Sequence, residues 1–206
     1  MRCVFLLAAA VFLGGCVTSH RPLKQQYDLG EFGVSHHGSS GLGVEVVIPD
    51  VSQPSWFRTR DIFYRFDYAA PSRRLHYATS EWVATAGELI TFRLREVVAA
   101  ANAGFTLPTP TGTSSYVLQA NLEEFTQVFT VPTRSQCIVQ LRVTLSRTAD
   151  QIVAQRVFRA ETPTQTPDAS GAALCLASAV TGEADDIVQW LSDEVARAPS
   201  NEVSPP

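Results

Sequence analysis

No stretch of this sequence stays apolar long enough to cross a bilayer. The run at its start, Val4–Leu13, falls well short of the roughly 20 residues a spanning helix needs. Charge of one sign is also lacking. The net charge is −4 and no basic cluster stands out, which excludes nucleic acid as an expected partner. Cysteine is sparse, with four residues, no CxxC pair and no metal-ligand spacing, so no metal and no cofactor is expected. Catalytic combinations are scarce too. Ser35-His36 falls in a Gly/Ser-rich linker, and Glu123-Glu124 falls on an alternating strand, where neighbours face opposite ways. A protein without bond-breaking chemistry is the expectation.

What is present begins at the N-terminus. Arg2 precedes the apolar run, which has the length of a signal-peptide hydrophobic region. Leu13-Gly14-Gly15-Cys16 follows at once and resembles the lipobox of bacterial lipoproteins. That likeness implies diacylglyceryl transfer to the Cys16 thiol, cleavage before Cys16 and acylation of the new amine. Several acyl chains at about 0.8 kcal/mol per buried CH₂ hold a protein stably on a membrane where one chain is marginal. An ordinary cleaved signal peptide with an incidental cysteine is the competing reading. Val17 stands where an aspartate would mark inner-membrane retention, so the periplasmic face of the outer membrane is expected, with the inner membrane left open.

Apolar residues make up 45% and charged residues 17% of the chain, the balance of a globular protein rather than a disordered one. The length suits one domain with tails: signal peptide 1–15, lipidated flexible linker 16–42, a single periplasmic domain 43–198 and a disordered tail 199–206. Cys3 leaves with the signal peptide and Cys16 carries lipid. Cys137 and Cys175 remain, an even pair in an oxidising compartment. A disulfide between them is expected, two separate buried thiols being the alternative.

Within the linker, His36-His37 reads as solvated, and Tyr27-Asp28-Leu29 as a short edge strand. Val44–Ile48, Ile62–Phe66 and Arg74–Tyr77 read as strands, the last two joined through a turn at Ala70-Pro71-Ser72. Thr85-x-x-Glu88 has capping-box spacing. Ile90, Leu94, Val97, Val98 and Ala101 form the buried stripe of the helix it opens, with Arg93, Arg95 and Glu96 solvated and Asn102 and Gly104 closing it. Tyr116–Glu123, Val139–Leu145 and Ile152–Ala160 alternate as an antiparallel meander. A last helix spans about Ala169 to Arg197, with Ala173, Leu176, Val180, Ala184, Ile187 and Leu191 facing inward and Trp190 flanking them. The expected fold is α+β, an antiparallel or mixed sheet of about five to six strands with two helices on one face, in two β-β-β-α-like halves.

These elements carry a family likeness. Tyr27-Asp28-Leu29, a first strand ending in Pro49, Trp56-Phe57 before Ile62-Phe63-Tyr64-Arg65, then Leu75, Tyr77 and Trp82 occur in an order that resembles the ABC-type transport auxiliary lipoproteins, the PqiC-like family. The sequence departs from the family pattern at Val83-Ala84-Thr85 and Arg58-Thr59. The resemblance implies an accessory role beside an MCE-domain protein and an ABC permease and ATPase that move lipids or other hydrophobic molecules across the envelope. It also implies that self-association into a homo-oligomer is open. A structural assembly lipoprotein of another envelope complex, or a periplasmic lipid carrier, is the alternative. Trp56, Phe57, Arg58 and Arg60 are the candidate partner contact, because aromatics and arginine are enriched in interface hot spots. Tyr64, Tyr77 and Trp82 are expected in the core.

Overall fold

The computed structural model describes residues 23–31, 44–101, 106–107, 116–148 and 151–197. In chain order the strands are β1 (Gln25–Tyr27), β2 (Val46–Val47), β3 (Asp61–Phe66), β4 (Ala70–Trp82), β5 (Thr106–Leu107), β6 (Tyr116–Val131), β7 (Arg134–Thr148) and β8 (Gln151–Pro163). Two α-helices, α1 (Ala86–Ala101) and α2 (Ala169–Arg197), each follow a group of strands, and a single 3₁₀ turn covers Ser55–Phe57. The described strands form one mixed, open sheet of eight. Five are long, and three have only two or three residues. The expected count of five to six is therefore corrected. The short strands pair in parallel with distant partners and have too few residues to show an alternation of their own.

β6 registers the sheet. One edge pairs with β7, which pairs in turn with β8, both antiparallel. The other edge is followed in parallel by the segment from β2 to β3, with Val46 opposite Tyr116, Ser52 opposite Asn121 and Tyr64 opposite Gln127. From Ser52 to Tyr64 that segment spends twelve residues alongside six of β6. The excess loops out around the 3₁₀ turn. β4 pairs antiparallel with β3, and β1 parallel with β4. The turn expected at residues 70–72 lies at Asp67–Ala69 instead, and Pro71 sits near the start of β4, where a missing N–H is tolerated.

Local chemistry explains α1. The Thr85 N–H donates to Glu88 Oε2 at 2.8 Å, and Glu88 N–H donates back to Thr85 Oγ1 at 3.4 Å, the reciprocal arrangement of a capping box. Ile90, Leu94, Val97 and Val98 are buried. Two residues expected in solvent are not there. Arg93 is 3% exposed and donates to the carbonyls of Leu29 and Gly30, while Arg95 donates to Ile48 O and Asp50. A long side chain leaving a helix beside irregular backbone finds carbonyls that no ladder satisfies. The contact also shows that Gln25–Tyr27, expected inside the linker, belongs to the folded unit: Leu29 is buried and β1 joins the sheet. Asn102 and Gly104 lie outside the described residues.

α2 keeps Ala173, Leu176, Val180, Ala184, Ile187, Trp190 and Leu191 buried. It packs on β6, β7, β8 and α1, which puts both helices on the same face of the sheet. Cys137 of β7 and Cys175 of α2 form a disulfide with their Cα atoms 5.9 Å apart. Trp82, at the end of β4, stacks obliquely on Phe125 with ring centroids 5.4 Å apart in the centre of the core.

The bridge closes a separation of 38 residues, which on the chain-entropy model stabilises the fold by about 4 kcal/mol. Cys175→Ser is expected to lower the midpoint of urea unfolding by the amount that reduction lowers it for the unaltered protein. Insensitivity of the unaltered protein to reductant would contradict the bridge.

Candidate functional site

The four residues expected to form a partner contact divide. Pro54 and the 3₁₀ turn swing Trp56 outward, where it is 52% exposed. Phe57 turns the other way and is 1% exposed. It meets the edge of Phe63 at 5.7 Å and carries the Arg74 guanidinium over its ring at 4.9 Å. Phe57 is thus a core residue, a correction to its expected place on the surface. Arg58 is exposed, and Arg60 is held by Glu81 at 2.8 Å.

A second aromatic group was missed in the sequence. Tyr64, Phe66, Tyr68, Tyr77 and Phe129 stand in a chain of contacts, with centroids 5.6 Å apart for Phe66–Tyr68, 5.1 Å for Phe66–Phe129 and 4.7 Å for Tyr64–Tyr77. Tyr64 faces the helix side, since its β6 neighbour Gln127 pairs with the disulfide-bonded Cys137. The Tyr77 hydroxyl donates to Gln127 Oε1 at 2.6 Å, and the Gln127 amide donates to Ser135 Oγ at 2.8 Å. Trp82 is in the core as expected, but Tyr64, Phe66 and Tyr77 are only partly buried and Tyr68 is 48% exposed. The group lies at the sheet end formed by the β3–β4 turn, the β6–β7 turn at Pro132-Thr133 and the loop from β8 to α2. Phe66 just before one turn and Tyr68 within it were the available signal.

The carboxylates of Glu123 and Glu124 are each engaged by separate partners. A register shift between Leu122 and Glu124 overturns the expected alternation. Both side chains reach the face away from the helices, and each has its own cations. Glu123 accepts from Gln140 and Arg142 at 2.6 and 2.7 Å, and these bonds hold its carboxyl below the usual range. At Glu124 burial opposes charge, yet Thr126, Arg74 and Arg65 together keep its carboxyl below the usual range. Glu183 on α2 is the opposite case. Its Oε1 accepts the Ala160 N–H at 2.7 Å, and Oε2 has no partner among the described residues. Burial first, with Asp186 adding repulsion, pushes its carboxyl up to about 8 against the Ala160 N–H and Arg159.

No group of three or more His, Cys, Asp or Glu able to hold a metal occurs among the described residues. A depression of about 120 Å³ is lined by Thr162, Pro163, Gln165, Leu174 and Ser178 beside the disulfide. Cys16, Ser35, His36 and His37 lie outside the described residues. No helix among the described residues is long and apolar enough to cross a membrane.

No protein family matches the sequence, and no curated protein does. Solved structures do match. A Xanthomonas campestris protein of the family DUF330 superposes with a TM-score of 0.66 at 15% identity, over 86% of this chain and 95% of that one. An uncharacterized protein superposes with 0.65 at 14% identity, over 82% and 99%. A minor lipoprotein from Acinetobacter baumannii reaches only 0.38 at 13% identity, over 74% and 94%, too low to carry weight. At these identities the likeness is one of fold. The two strong matches cover almost the whole of both partners.

Two predictions come from these environments. Trp56→Ala is expected to leave the thermal midpoint nearly unchanged, whereas Phe57→Ala costs about 3–5 kcal/mol; thermal and urea unfolding of both variants would check the contrast. Folded Glu183 keeps its proton up to about pH 8, while the unfolded chain gives it up near the ordinary carboxyl value. Its contribution is therefore complete at acid pH and is lost as pH rises through about 8. Stability should fall over that window, and Glu183→Gln should flatten the fall.

Proposed function

We propose that this protein is a lipid-anchored envelope protein that serves as a non-enzymatic accessory to an ABC/MCE-type transporter of lipids or other hydrophobic molecules. The observation that carries the reading is the Leu13-Gly14-Gly15-Cys16 box, which closes an apolar run just ahead of a folded domain. The accessory role rests on the ordered elements from Tyr27 to Trp82 that resemble the PqiC-like lipoproteins. The fold likeness to the DUF330 structure over nearly the full domain supports it. Val17 after the lipidated cysteine favours the periplasmic face of the outer membrane.

Exposed aromatic surface at Trp56 is the kind that contacts partners, and it favours an accessory over a lipid carrier. The depression beside the disulfide, at about 120 Å³, is smaller than the roughly 300–1,000 Å³ of sites that enclose whole ligands. The MCE-domain protein is the partner to test first, with the permease and ATPase behind it.

Cys16→Ser is expected to move the protein from the membrane fraction to the soluble fraction. A pull-down on the unaltered protein from solubilised envelopes is expected to recover an MCE-domain protein, less of it with Trp56→Ala. Unchanged sedimentation of Cys16→Ser would remove the anchor. Recovery of a different assembly would replace the transporter as partner.

A further inference from the structure

The direction of β1 bears on how an anchored domain stands on its membrane. β1 runs parallel to β4, with Gln25 opposite Ser80 and Tyr27 opposite Trp82. β4 itself runs away from the Asp67–Ala69 turn. Residues ahead of Gln25 therefore come from the side of that turn. The Lys24 side chain reaches back the other way, its ammonium 3.6 Å from Asp61 and 3.3 Å from Glu81, so the path rests on the register of β1 alone.

Distances narrow the choice. The rung joining Asp61 and Glu81 and the rung joining Phe66 and Ala70 are five residues of β3 apart, roughly 17 Å. From Cys16 to Leu23 the chain spans at most roughly 25 Å. That reach takes an extended tether past the turn end of the sheet. The opposite end, where Ser146 pairs with both Val117 and Ile152, lies about eight residues of β6 the other way, roughly 25 Å. The tether would have to double back and spend its whole length to bring that end to the bilayer.

The turn end has the chemistry of a membrane interface. Tyr68 projects from it with Phe66 and Phe129 behind, and tyrosine and tryptophan settle at the headgroup level, where one part of the ring is dry and the hydroxyl wet. Arg73 and Arg134 are exposed at this end, and neither has an ion pair among the described residues. Arginines so placed match lipid phosphates. The nearby acids are engaged, Asp67 by Arg65 and Asp168 by Thr166 and the Gly171 N–H. Among the described residues the far end offers exposed Ile152, while its ring, Tyr116, is buried with Arg147 over it.

We infer that the domain rests on the bilayer carrying its anchor through this end, with Tyr68 at the headgroup level, Arg73 and Arg134 on phosphates, and the Ile152 end pointing away. The inference rests on the anchored reading of Cys16 and adds an orientation to it.

The test uses the full-length acylated protein in vesicles of phosphatidylethanolamine and phosphatidylglycerol with brominated acyl chains. Tyr68→Trp and Ile152→Trp are compared, each with Trp56→Phe, and flotation is measured on the same samples. Both positions are exposed, so neither change disturbs packing. Quenching several-fold stronger for Tyr68→Trp is expected, falling when Arg73→Glu and Arg134→Glu are added. Flotation with equal quenching at the two positions, or stronger quenching for Ile152→Trp, would overturn the orientation alone and free the aromatic end for a protein partner. Failure to float would reject the anchor, and the orientation with it.

Discussion

Everything in this domain is measured from β6. A central strand whose two edges are both occupied has no freedom to slip, because a one-residue shift would turn its buried side chains to the wrong face. On one edge β7 holds it along nearly its whole length. On the other, the chain from Val46 to Phe66 runs beside it in parallel, touching down at three places. Those touchdowns place Ile62 and Tyr64 on the helix side, and the slack between them is what pushes Trp56 into solvent and Phe57 onto Phe63. The exposed tryptophan is thus a consequence of register on a strand more than 60 residues away.

The parts of this arrangement that could be read in the sequence are those specified locally. Thr85 and Glu88 meet across three residues, so the start of α1 was legible. The span of α2 was legible for a similar reason: its apolar stripe is continuous and Pro167 precedes it. Alternation drew the meander from Tyr116 onward. Parallel partners of β2, β3 and β1 left no trace, because parallel pairing joins residues that share no turn. Arg93 was misplaced because its burial depends on two carbonyls more than 60 positions earlier. The bulge at Leu122–Glu124 escaped for a different reason. It is one extra residue, and nothing in the pattern before it announces that alternation will reset.

That bulge also decides the character of the sheet's outer face. Without it, uninterrupted alternation from Leu122 would turn Glu124 toward the apolar core, where an unpaired carboxylate is costly. With it, both glutamates join a lattice of Arg65, Arg74, Arg142, Gln140 and Arg159 on the side that no helix covers. The helix side also holds a buried carboxyl, Glu183, and its position explains it. β8 is the last strand beyond β7, so its outward N–H groups lack a strand partner, and Glu183 reaches over from α2 to satisfy that of Ala160. A charged or polar group that blunts a strand edge guards it against unwanted pairing.

The same logic of fastening an edge applies where the chain joins the domain. β1 has only three residues, too few to hold by ladder bonds alone if a membrane tether pulls on its start. Its surroundings are correspondingly dense. Lys24 bonds to Glu81 and Asp61, Gln26 donates to Glu81, Val83 N–H donates to Tyr27 O, and Arg93 clamps the carbonyls of Leu29 and Gly30. Individually such exposed ion pairs contribute little, but the buried guanidinium is different. Losing its carbonyl partners would leave a charge stranded against the core. Under the proposed anchoring at Cys16, a short strand tied this way would pass a pull on the chain into β4 and α1 together.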